Sequence, residues 1–528
     1  MSMFAYITII IAAIALVLEF RRQLMMLQQN SYRNERYARW LSTSQDSTST
    51  MRLITGAVLL ASLSTLSTRP VSLGLISLVS IINICILGGK KYKKPLVMTK
   101  RATRILTVML ILTAIPFAVG VGVCLHSGYP LDFCADIILA AFCFSQCFTM
   151  AANWLLKPVE ANINRKYYQD AERILRGMPD LKIIGVTGSY GKTSTKHYLN
   201  RILSEKYDVM MTPGSFNTTL GVIRTVREYL KPYNEVFIVE MGAKQPGDIK
   251  EICDLVHPSI GIVTAVGEQH LESFKTIENV QRTKFELVDS LPSDGLAVVN
   301  NDFPFVANRK VDNVKCIRYA VSECGAAEYV AENITYTPQG TSFTVVAPDG
   351  EKFEFSTHLV GECNVSNLLA AIIVALKLNV PVDKIRYAVG NIEQVEHRLN
   401  MKRTPGGVTI IDDAFNSNPT GSKMALDVLK MMTGGRRIIV TPGMIELGDR
   451  QEELNARFGE YIASSADIAI IVGSYNREAI TAGIESAGSA LVKVHTVDSF
   501  NEAQQLLATI LKSGDTILYE NDLPDTFK

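Results

Sequence analysis

Residues 185–193 read Gly-Val-Thr-Gly-Ser-Tyr-Gly-Lys-Thr, and these residue types at this spacing suit the binding of an anion. Glycines let backbone N–H groups approach an anion closely. Lys192 adds a point charge, and the hydroxyl of Thr193 can hold Mg²⁺. Five residues rather than four separate Gly185 from Gly191, so the match to the usual G-x-x-x-x-G-K-[ST] pattern is imperfect. The segment still predicts a cradle for the phosphates of a nucleotide.

Two more side chains could support chemistry beside such a cradle. Glu240 directly follows a predicted strand, 236–239, so we expect it at the carboxyl edge of a sheet, where its carboxylate could bind Mg²⁺. Lys284 shares one helix face with Val280, Leu287 and Leu291. Because burying an unpaired ammonium is costly, this lysine must reach solvent, find a partner, shift its pKa or be chemically altered.

Alternating strands and amphipathic helices position these groups. The phosphate segment lies between a predicted strand, 181–186, and a predicted helix, 193–203. The helix start would add the positive end of its dipole. A stretch at 399–407 rich in Gly and Pro precedes a second series of strands, at 408–411, 437–441, 468–472 and 516–519. The pattern predicts two α/β domains with parallel sheets: a central ATP-binding domain, 158–400, and a Rossmann-like C-terminal domain, 401–528.

The first part of the chain has a different character. It contains five apolar runs, at 3–20, 53–67, 71–89, 105–125 and 133–156. A helix needs about 20 residues to cross a bilayer, so four runs are long enough and the second is short. We therefore predict an α-helical membrane domain, 1–157, with about five spans.

The basic residues predict the orientation of these spans. Lys and Arg cluster after the first and third runs, whereas only Arg69 follows the second and none lies in 126–132. Since Lys and Arg are retained on the cytoplasmic side, the N-terminus is expected outside and the two α/β domains in the cytoplasm, at a bacterial cell membrane. The spans carry few ionisable residues, which disfavours a transporter.

Composition excludes some classes of protein. The 528 residues carry a net charge of +1 with 20% charged residues, so nothing indicates a nucleic-acid partner. Membrane lipid is the partner that the apolar runs predict. The nine cysteines include no CxxC pair and are expected to be reduced packing residues.

Several motifs together resemble the Mur ligase family. They are Thr-Gly-Ser-x-Gly-Lys-Thr at 187–193, the loop 212–221, Glu240-Met-Gly-Ala, His270-Leu-Glu, Asn300-Asn-Asp, the segment 361–371, His397-Arg398, Asp-Asp-Ala-Phe-Asn-Ser-Asn-Pro at 412–419 and Gly-Met-Ile-Glu-Leu-Gly at 443–448. The resemblance covers about 180–520, and the last two motifs look most like the branch that adds D-alanyl-D-alanine. It implies an ATP- and Mg²⁺-dependent ligase that joins a carboxylate to an amine through an acyl phosphate.

The resemblance also implies roles for individual residues. The implied catalytic residues are Lys192, Lys284 and His270. The implied ATP-binding residues are Thr187, Gly188, Ser189, Tyr190, Gly191, Lys192, Thr193, Ser194, Asn367, Arg398, Asp413 and Asn416. The implied metal ligands are Thr193, Glu240, His270 and Lys284 as a carbamate, and the implied substrate residues are Asn217, Thr218 and Thr219.

Two departures from the family pattern bear on the substrates. The membrane domain replaces the usual N-terminal domain that binds a nucleotide-sugar, which suggests a lipid-linked or envelope-polymer carboxylate acceptor and an amino acid or short peptide as the amine. A basic stretch near the C-terminus is replaced by the acidic 519–525, which indicates either a cationic amine or an exposed tail.

Three alternatives remain at this point. They are a ligase for the nucleotide-linked muramyl peptide, a ligase of the poly-γ-glutamate type, and an ATP-gated membrane protein without ligase chemistry. The full C-terminal domain disfavours the second. The presence of Glu240, His270, Lys284 and Asp413 together favours chemistry over gating.

Overall fold

A computed structural model of the chain describes residues 3–44, 46–64, 69–90, 92, 94–127, 131–321, 327–337, 340–414, 417–488 and 492–522. The chain forms two compact units, one ending at Arg165 and the other spanning Lys166–Asp522. The first is helical, and the second contains two sheets. The predicted fold class is confirmed, while the predicted limits at 157 and 400 stay predictions.

The first unit consists of α-helices, several of them apolar, and the last one continues beyond Arg165. Their bounds are α1 Met3–Gln29, α2 Asn34–Thr43, α3 Thr50–Ser64, α4 Arg69–Gly89, α5 Lys100–Ser127, α6 Cys134–Cys143 and α7 Ser145–Arg176. Among the described residues, α1, α4 and α5 are long and apolar enough to cross a membrane. The predicted run 133–156 is not one straight helix, because α6 and α7 meet at an angle of 74°. The short second run forms α3, with 15 residues.

Buried ion pairs lie inside this helical unit, where the sequence suggested few ionisable groups. Arg52 lies 2.5 Å from the carboxylate of Glu19. Its Nη1 also donates to the carbonyls of Phe142 and Cys143, at 3.2 and 3.0 Å, where α6 ends. A cation near the end of a helix satisfies carbonyls that have no partner within the helix. Arg52 therefore stabilises the break between α6 and α7.

The second unit begins with a nine-stranded sheet. Its strands are β1 Lys182–Thr187, β2 Val209–Met211, β3 Val236–Glu240, β4 Ile260–Val263, β5 Leu296–Asn300, β6 Lys315–Ala320, β7 Tyr329–Thr337, β8 Gly340–Val346 and β9 Lys352–Thr357. Its helices are α8 Lys192–Leu203, α9 Thr219–Glu228, α10 Asp248–Val256, α11 Leu271–Phe274, α12 Ile277–Asp289, α13 Pro304–Ala307, α14 Glu362–Lys377 and α15 Val382–Gly390.

The strand order places the phosphate segment at a functional position. The order is β2-β3-β1-β4-β5-β6-β7-β8-β9, so β1 lies between β3 and β4 and pairs parallel with both. The chain thus moves to one side of β1 and later to the other, which makes the carboxyl end of β1 a topological switch point. β8 pairs antiparallel with both β7 and β9, which departs from the predicted parallel arrangement.

A six-stranded sheet completes the second unit. Its strands are β10 Asn400–Arg403, β11 Thr409–Asp413, β12 Arg437–Thr441, β13 Ile468–Val472, β14 Lys493–Val497 and β15 Thr516–Glu520, in the order β10-β11-β15-β12-β13-β14. Its helices are α16 Pro419–Met431, α17 Gln451–Ser465, α18 Arg477–Ser486 and α19 Phe500–Ile510. The sheet is parallel except for β10.

The cysteines match the predicted packing role only in part, because Cys85 and Cys147 are exposed. The eight that lie within the described ranges carry free thiols. The ninth, Cys324, lies outside the described residues.

Candidate active site

A cavity in the second unit is lined by residues that follow the strands of both sheets. The lining residues that precede Arg398 in the chain are Ser189, Tyr190, Gly191, Lys192, Thr193, Ser194, Ser215, Asn217, Glu240, Thr264, Gln269, Asn300, Phe303, Cys363, Asn364, Ser366 and Asn367. The others are Arg398, Leu399, Asp413, Ser417, Asn418, Gly421, Met424 and Glu520. The cavity therefore combines the predicted phosphate segment with residues of the C-terminal sheet.

The phosphate segment forms a loop whose glycines are required by close packing. Gly188 has a φ of 154°, and a Cβ there would overlap Oγ1 of Thr264. Gly191 has a φ of 80°, and a Cβ there would overlap Oδ1 of Asn367. Helix α8 begins directly after Gly191, so its first N–H groups face the cavity end of the loop. This is the backbone arrangement that binds phosphate.

Lys192 lies over this loop. Its Nζ donates to the carbonyls of Gly188 and Ser189, at 2.6 and 3.3 Å. Burial lowers the pKa of Lys192 to about 8, while the carboxylate of Glu240 opposes that shift. The ammonium is thus held in the cavity at the position where an anion would meet the loop.

Glu240, the last residue of β3, lies at the centre of a polar cluster. Its Oε1 accepts from Oγ1 of Thr193 at 3.2 Å and from Nδ2 of Asn217 at 3.0 Å. Nζ of Lys196 lies 3.0 Å from its Oε2. Burial would raise the pKa of Glu240, but the charges of Lys196 and Lys192 outweigh it and lower the pKa. Glu240 is therefore a carboxylate.

These donors fit a magnesium ion. The hydroxyl of Thr193 and the carboxylate of Glu240 are hard oxygen ligands on adjacent elements. Within the described ranges, no three His, Cys, Asp or Glu side chains are grouped so as to hold a metal alone. Mg²⁺ commonly takes one or two protein ligands and completes its shell with phosphate oxygens and water. The fit is thus to a metal that binds together with a nucleotide.

His270 and Lys284 lie near this cluster but do not line the cavity. Nδ1 of His270 contacts the carboxylate of Glu446, which belongs to the C-terminal sheet region. Burial lowers the pKa of His270, and Glu446 opposes that shift. Burial, followed by the charge of Lys192, lowers the pKa of Lys284 well below its ordinary value. Lys284 is therefore a buried amine that favours the neutral form.

The C-terminal side of the cavity carries two adjacent carboxyls. Asp413 and Glu520 are register partners at the ends of β11 and β15. Burial raises the pKa of Asp413 to about 6, while Arg398 opposes that shift. Burial, together with the charge of Asp413, raises the pKa of Glu520 well above its ordinary value. The two side chains therefore hold fewer negative charges than two exposed carboxylates would.

Several predicted site residues take other positions. Thr187 is fully buried and donates from Oγ1 to the carbonyl of Met241 at 2.8 Å. Thr218 accepts from N–H of Gly221 as the N-cap of α9, and Thr219 donates to Glu251 at 2.7 Å. These three threonines do not line the cavity, whereas Asn217 does. Asn416 lies outside the described residues.

Other residues in the cavity or directly behind its lining were not predicted from the sequence. Lys196 is fully buried against Glu240, and its place four residues after Lys192 on a helix could have indicated that both face the same side. Glu520 directly follows the predicted strand 516–519, so the rule that ligands gather at carboxyl ends could have identified it. Thr264, Phe303 and Cys363 carry no comparable sequence signal.

Comparisons with known proteins match this architecture. The Mur ligase middle domain matches residues 186–375, and the Mur ligase, glutamate ligase domain matches residues 397–519. The UDP-N-acetylmuramoyl-tripeptide--D-alanyl-D-alanine ligase of Mycobacterium bovis is 32% identical over 366 residues, which cover 64% of this chain and 70% of that protein. The ligase of the same name from Bacillus subtilis is 28% identical, with coverage of 64% and 72%.

Solved structures agree with the sequence relatives. The MurF ligase of Thermotoga maritima in complex with ADP is similar with a TM-score of 0.61 and 26% identity, over 68% of this chain and 80% of that one. MurF from Acinetobacter baumannii gives the same TM-score and identity, over 67% and 77%. With a P-loop cradle at a switch point and matches across both α/β domains, the chain belongs to the Mur ligase family, whose members are amide-forming ligases that use ATP with Mg²⁺.

Proposed function

We propose that this protein is a membrane-anchored ligase of cell-envelope biosynthesis. It joins a carboxylate on a lipid-linked or envelope-polymer acceptor to the amine of an amino acid or short peptide. The observation that carries this proposal is the combination in one chain of the cradle around Lys192 with a unit that has three helices apolar enough to cross a membrane. The ligase domains are proposed to face the cytoplasm of a bacterial cell, with the N-terminus outside.

The first chemical step takes place at the loop. The acceptor carboxylate attacks the γ-phosphate of ATP, and ADP leaves as an acyl phosphate forms. Backbone N–H groups of the loop and the ammonium of Lys192 stabilise the charge on the transferring group, because Lys192 can exchange its carbonyl partners for phosphate oxygens. Bound Mg²⁺, held by Thr193 and Glu240, would neutralise further phosphate charge.

The second step forms the amide. The amine attacks the acyl carbon, phosphate leaves, and the nitrogen loses its proton. The cavity is lined by both α/β domains, so closure of the C-terminal domain would exclude water that could otherwise hydrolyse the acyl phosphate. We propose that Asn367, Arg398 and Asp413 hold the nucleoside end of ATP.

Lys284 and His270 are proposed to assist the metal site. Burial lowers the pKa of Lys284, which increases the share of neutral amine that can add to CO₂ and, on losing a proton, form a carbamate. The resulting anion would lie near Lys192, whose charge now acts on Lys284. His270 is proposed as a ligand of a second Mg²⁺, which would require it to leave Glu446.

A second candidate differs only in the acceptor. The relatives are named as ligases that act on a UDP-N-acetylmuramoyl-tripeptide and D-alanyl-D-alanine, and the 32% identity favours the same pair for this chain. The helical unit favours the lipid-linked acceptor instead, because membrane insertion places the enzyme beside such a substrate.

An assay with defined acceptors separates the two. The full-length protein, purified in detergent, is incubated with ATP, Mg²⁺, an amine and one of two acceptors: bacterial lipid extract or UDP-N-acetylmuramoyl-tripeptide. The amines are single amino acids and D-alanyl-D-alanine. Phosphate release and product mass are measured together.

Each outcome of this assay supports one hypothesis over the others. Phosphate release and a mass increase that require both lipid extract and amine support the lipid-linked acceptor. The same result with only the nucleotide-linked tripeptide supports the second candidate. Phosphate release that requires neither carboxylate nor amine contradicts ligation and indicates ATP-driven gating.

A further inference from the structure

We propose that the helical unit carries a basic surface that binds the headgroups of anionic phospholipids in the cytoplasmic leaflet. Two segments form this surface: 33–39, at the start of α2, and 90–104, which runs from the end of α4 into α5. The inference goes beyond ligation, and it rests on the proposed anchoring of the helical unit in a membrane.

The two segments concentrate positive charge. Residues 90–104 contain seven Lys or Arg and no Asp or Glu, and residues 33–39 contain three Arg and one Glu. The exposed basic side chains among the described residues of these segments are Arg33, Arg39, Lys90, Lys94 and Lys100. Because the whole chain has a net charge of only +1, this excess is a local feature of the helical unit.

Side chains near the end of α1 hold the two basic segments together. Nε2 of Gln28 donates to the carbonyl of Val97 at 2.9 Å, and its Oε1 accepts from the N–H of Val97 at 3.0 Å. The guanidinium of Arg101 lies over the ring of Tyr32, 4.3 Å from its centroid, in a cation–π contact. The loop before α5 is therefore fixed beside the turn that leads into α2.

The basic surface lies where three apolar helices end. α1 ends at Gln29, whose Nε2 donates to the carbonyl of Lys94 at 3.0 Å. Lys90 directly follows α4, and α5 begins at Lys100. These three helices are the ones, among the described residues, that are long and apolar enough to cross a membrane. The exposed cations are therefore placed at the level of lipid headgroups.

The same loop exposes apolar side chains between its lysines. Val97 is 61% exposed and Met98 is 48% exposed, and both lie between Lys94 and Lys100. Such a segment suits the boundary of an anionic bilayer, where cations contact phosphate groups and apolar side chains contact acyl chains. A free anion such as inorganic phosphate would satisfy only the cations. The occupant that fits both features is an anionic lipid.

Membrane topology alone does not explain this arrangement. Retention of Lys and Arg on the cytoplasmic side requires them in the loops, but it does not require two distant loops to be joined. Holding like charges side by side costs electrostatic free energy. Anionic headgroups offset that cost, and clusters of four to eight basic residues beside a membrane helix are typical of binding to such lipids.

The test measures which lipids the full-length protein retains. The protein in detergent is mixed with equal amounts of phosphatidylglycerol and phosphatidylcholine and repurified, and the retained lipids are quantified by mass spectrometry. Wild type should retain about 10-fold more phosphatidylglycerol, and high salt should reduce this preference. The combined change Lys90→Gln, Lys94→Gln and Lys100→Gln should reduce it to within about threefold. The matched control is Lys250→Gln, Lys310→Gln and Lys352→Gln, three exposed lysines of the second unit, and should keep it.

A second variant distinguishes a joined surface from charge alone. Gln28→Leu keeps every charge and removes both hydrogen bonds to Val97. It should lower the preference by about threefold, because the loop is no longer held beside α2. Helical circular dichroism checks that each variant is folded, and Gln28→Ala replaces Gln28→Leu if that variant fails.

Two results overturn the basic surface while leaving the anchoring intact. One is equal retention of the two lipids by wild type, and the other is a wild-type preference in the folded Gln28 variant. Recovery of wild type in the soluble fraction of lysed cells, without detergent, overturns the proposed anchoring itself.

Discussion

The two units of the protein bury charged side chains in different ways. In the helical unit, each buried charge faces an opposite one, as with Glu19 and Arg52 or Asp136 and Arg69. In the second unit, Glu240 and Lys196 form such a pair, but like charges also lie together: Asp413 acts on Glu520, and Lys192 acts on Lys284. Opposite charges satisfy each other, whereas buried groups with strongly shifted pKa values are typical of functional sites. The helical unit therefore has the charge pattern of a structural scaffold, and the second unit has the charge pattern of a functional site.

The largest expected effect follows from removing the cation of the cradle. Lys192→Ala should lower the rate of amide formation by about 100- to 1000-fold, because one stabilising donor at the transferring phosphate is lost. The measurement is product formation by mass spectrometry, with the thermal unfolding of the variant as a check on folding.

Lys250 provides the matched control for this change. It is an exposed lysine of α10 that pairs with Asp254, so Lys250→Ala should keep wild-type activity. Unchanged amide formation in Lys192→Ala would show that the phosphate cradle takes no part in the reaction.

A large effect of a different kind is expected in the helical unit. Arg52→Ala leaves Glu19 without one partner and exposes the carbonyls at the end of α6. Because Arg22 still contacts Glu19 at 3.3 Å, the loss should stay below the ~3–5 kcal/mol that breaking an isolated buried pair typically costs. Denaturant unfolding in detergent, followed by helical circular dichroism, should show this loss. Arg21→Ala, an exposed change on α1, should not. Equal stabilities of the two variants would show that the ion pair is not structural.

The pH dependence of the free energy of unfolding tests the raised pKa of Asp413 in the second unit. Burial raises the pKa of Asp413 to about 6, so its ionisation costs more in the folded than in the unfolded protein. The stability that the protonated form contributes at low pH is therefore lost as the pH rises through about 6. Asp413→Asn should lose less stability over this range, and its melting temperature should rise relative to wild type as the pH increases. Parallel curves would contradict a raised pKa.

The smallest effect is expected at Thr219. Its hydroxyl donates to Glu251 and does not line the cavity, although its motif predicted a substrate contact. Thr219→Ala should change the KM for the acceptor by less than about twofold, since surface substitutions away from a functional site are usually nearly neutral. Asn217→Ala, which removes a donor to Glu240, should have the larger effect. A larger effect of Thr219→Ala than of Asn217→Ala on the KM would show that Thr219 contacts the substrate.

Much of the fold could be predicted from local patterns. The strands at 437–441 and 468–472 match β12 and β13, because buried parallel strands require short apolar runs bounded by turns. The break between α6 and α7 could not be predicted, since it depends on Arg52, which lies far away in the chain. The antiparallel pairing of β8 with β7 and β9 was missed, because alternating apolar and polar residues predict a strand but not its direction.

The residues of the candidate site also fall into those that local sequence features predict and those that they do not. The glycines, Lys192 and Glu240 could be predicted because a loop and a strand end are local features. Lys196 and Glu520 act through contacts between distant segments, such as Lys196 with Glu240 and Glu520 with Ser417. The threonines at 187, 218 and 219 were assigned by motif, and the motif does not specify which way a hydroxyl points.

The position of β15 in its sheet has a consequence for biosynthesis. β15 is made after every other strand of that sheet, yet it lies between β11 and β12. Until residues 516–520 have left the ribosome, the sheet has a gap at its centre and Asp413 lacks its neighbour. The cavity that Asp413 and Glu520 line is therefore completed only after all the apolar helices at the start of the chain have been synthesised. Folding of the nucleotide cavity thus depends on the last strand of the chain to be made.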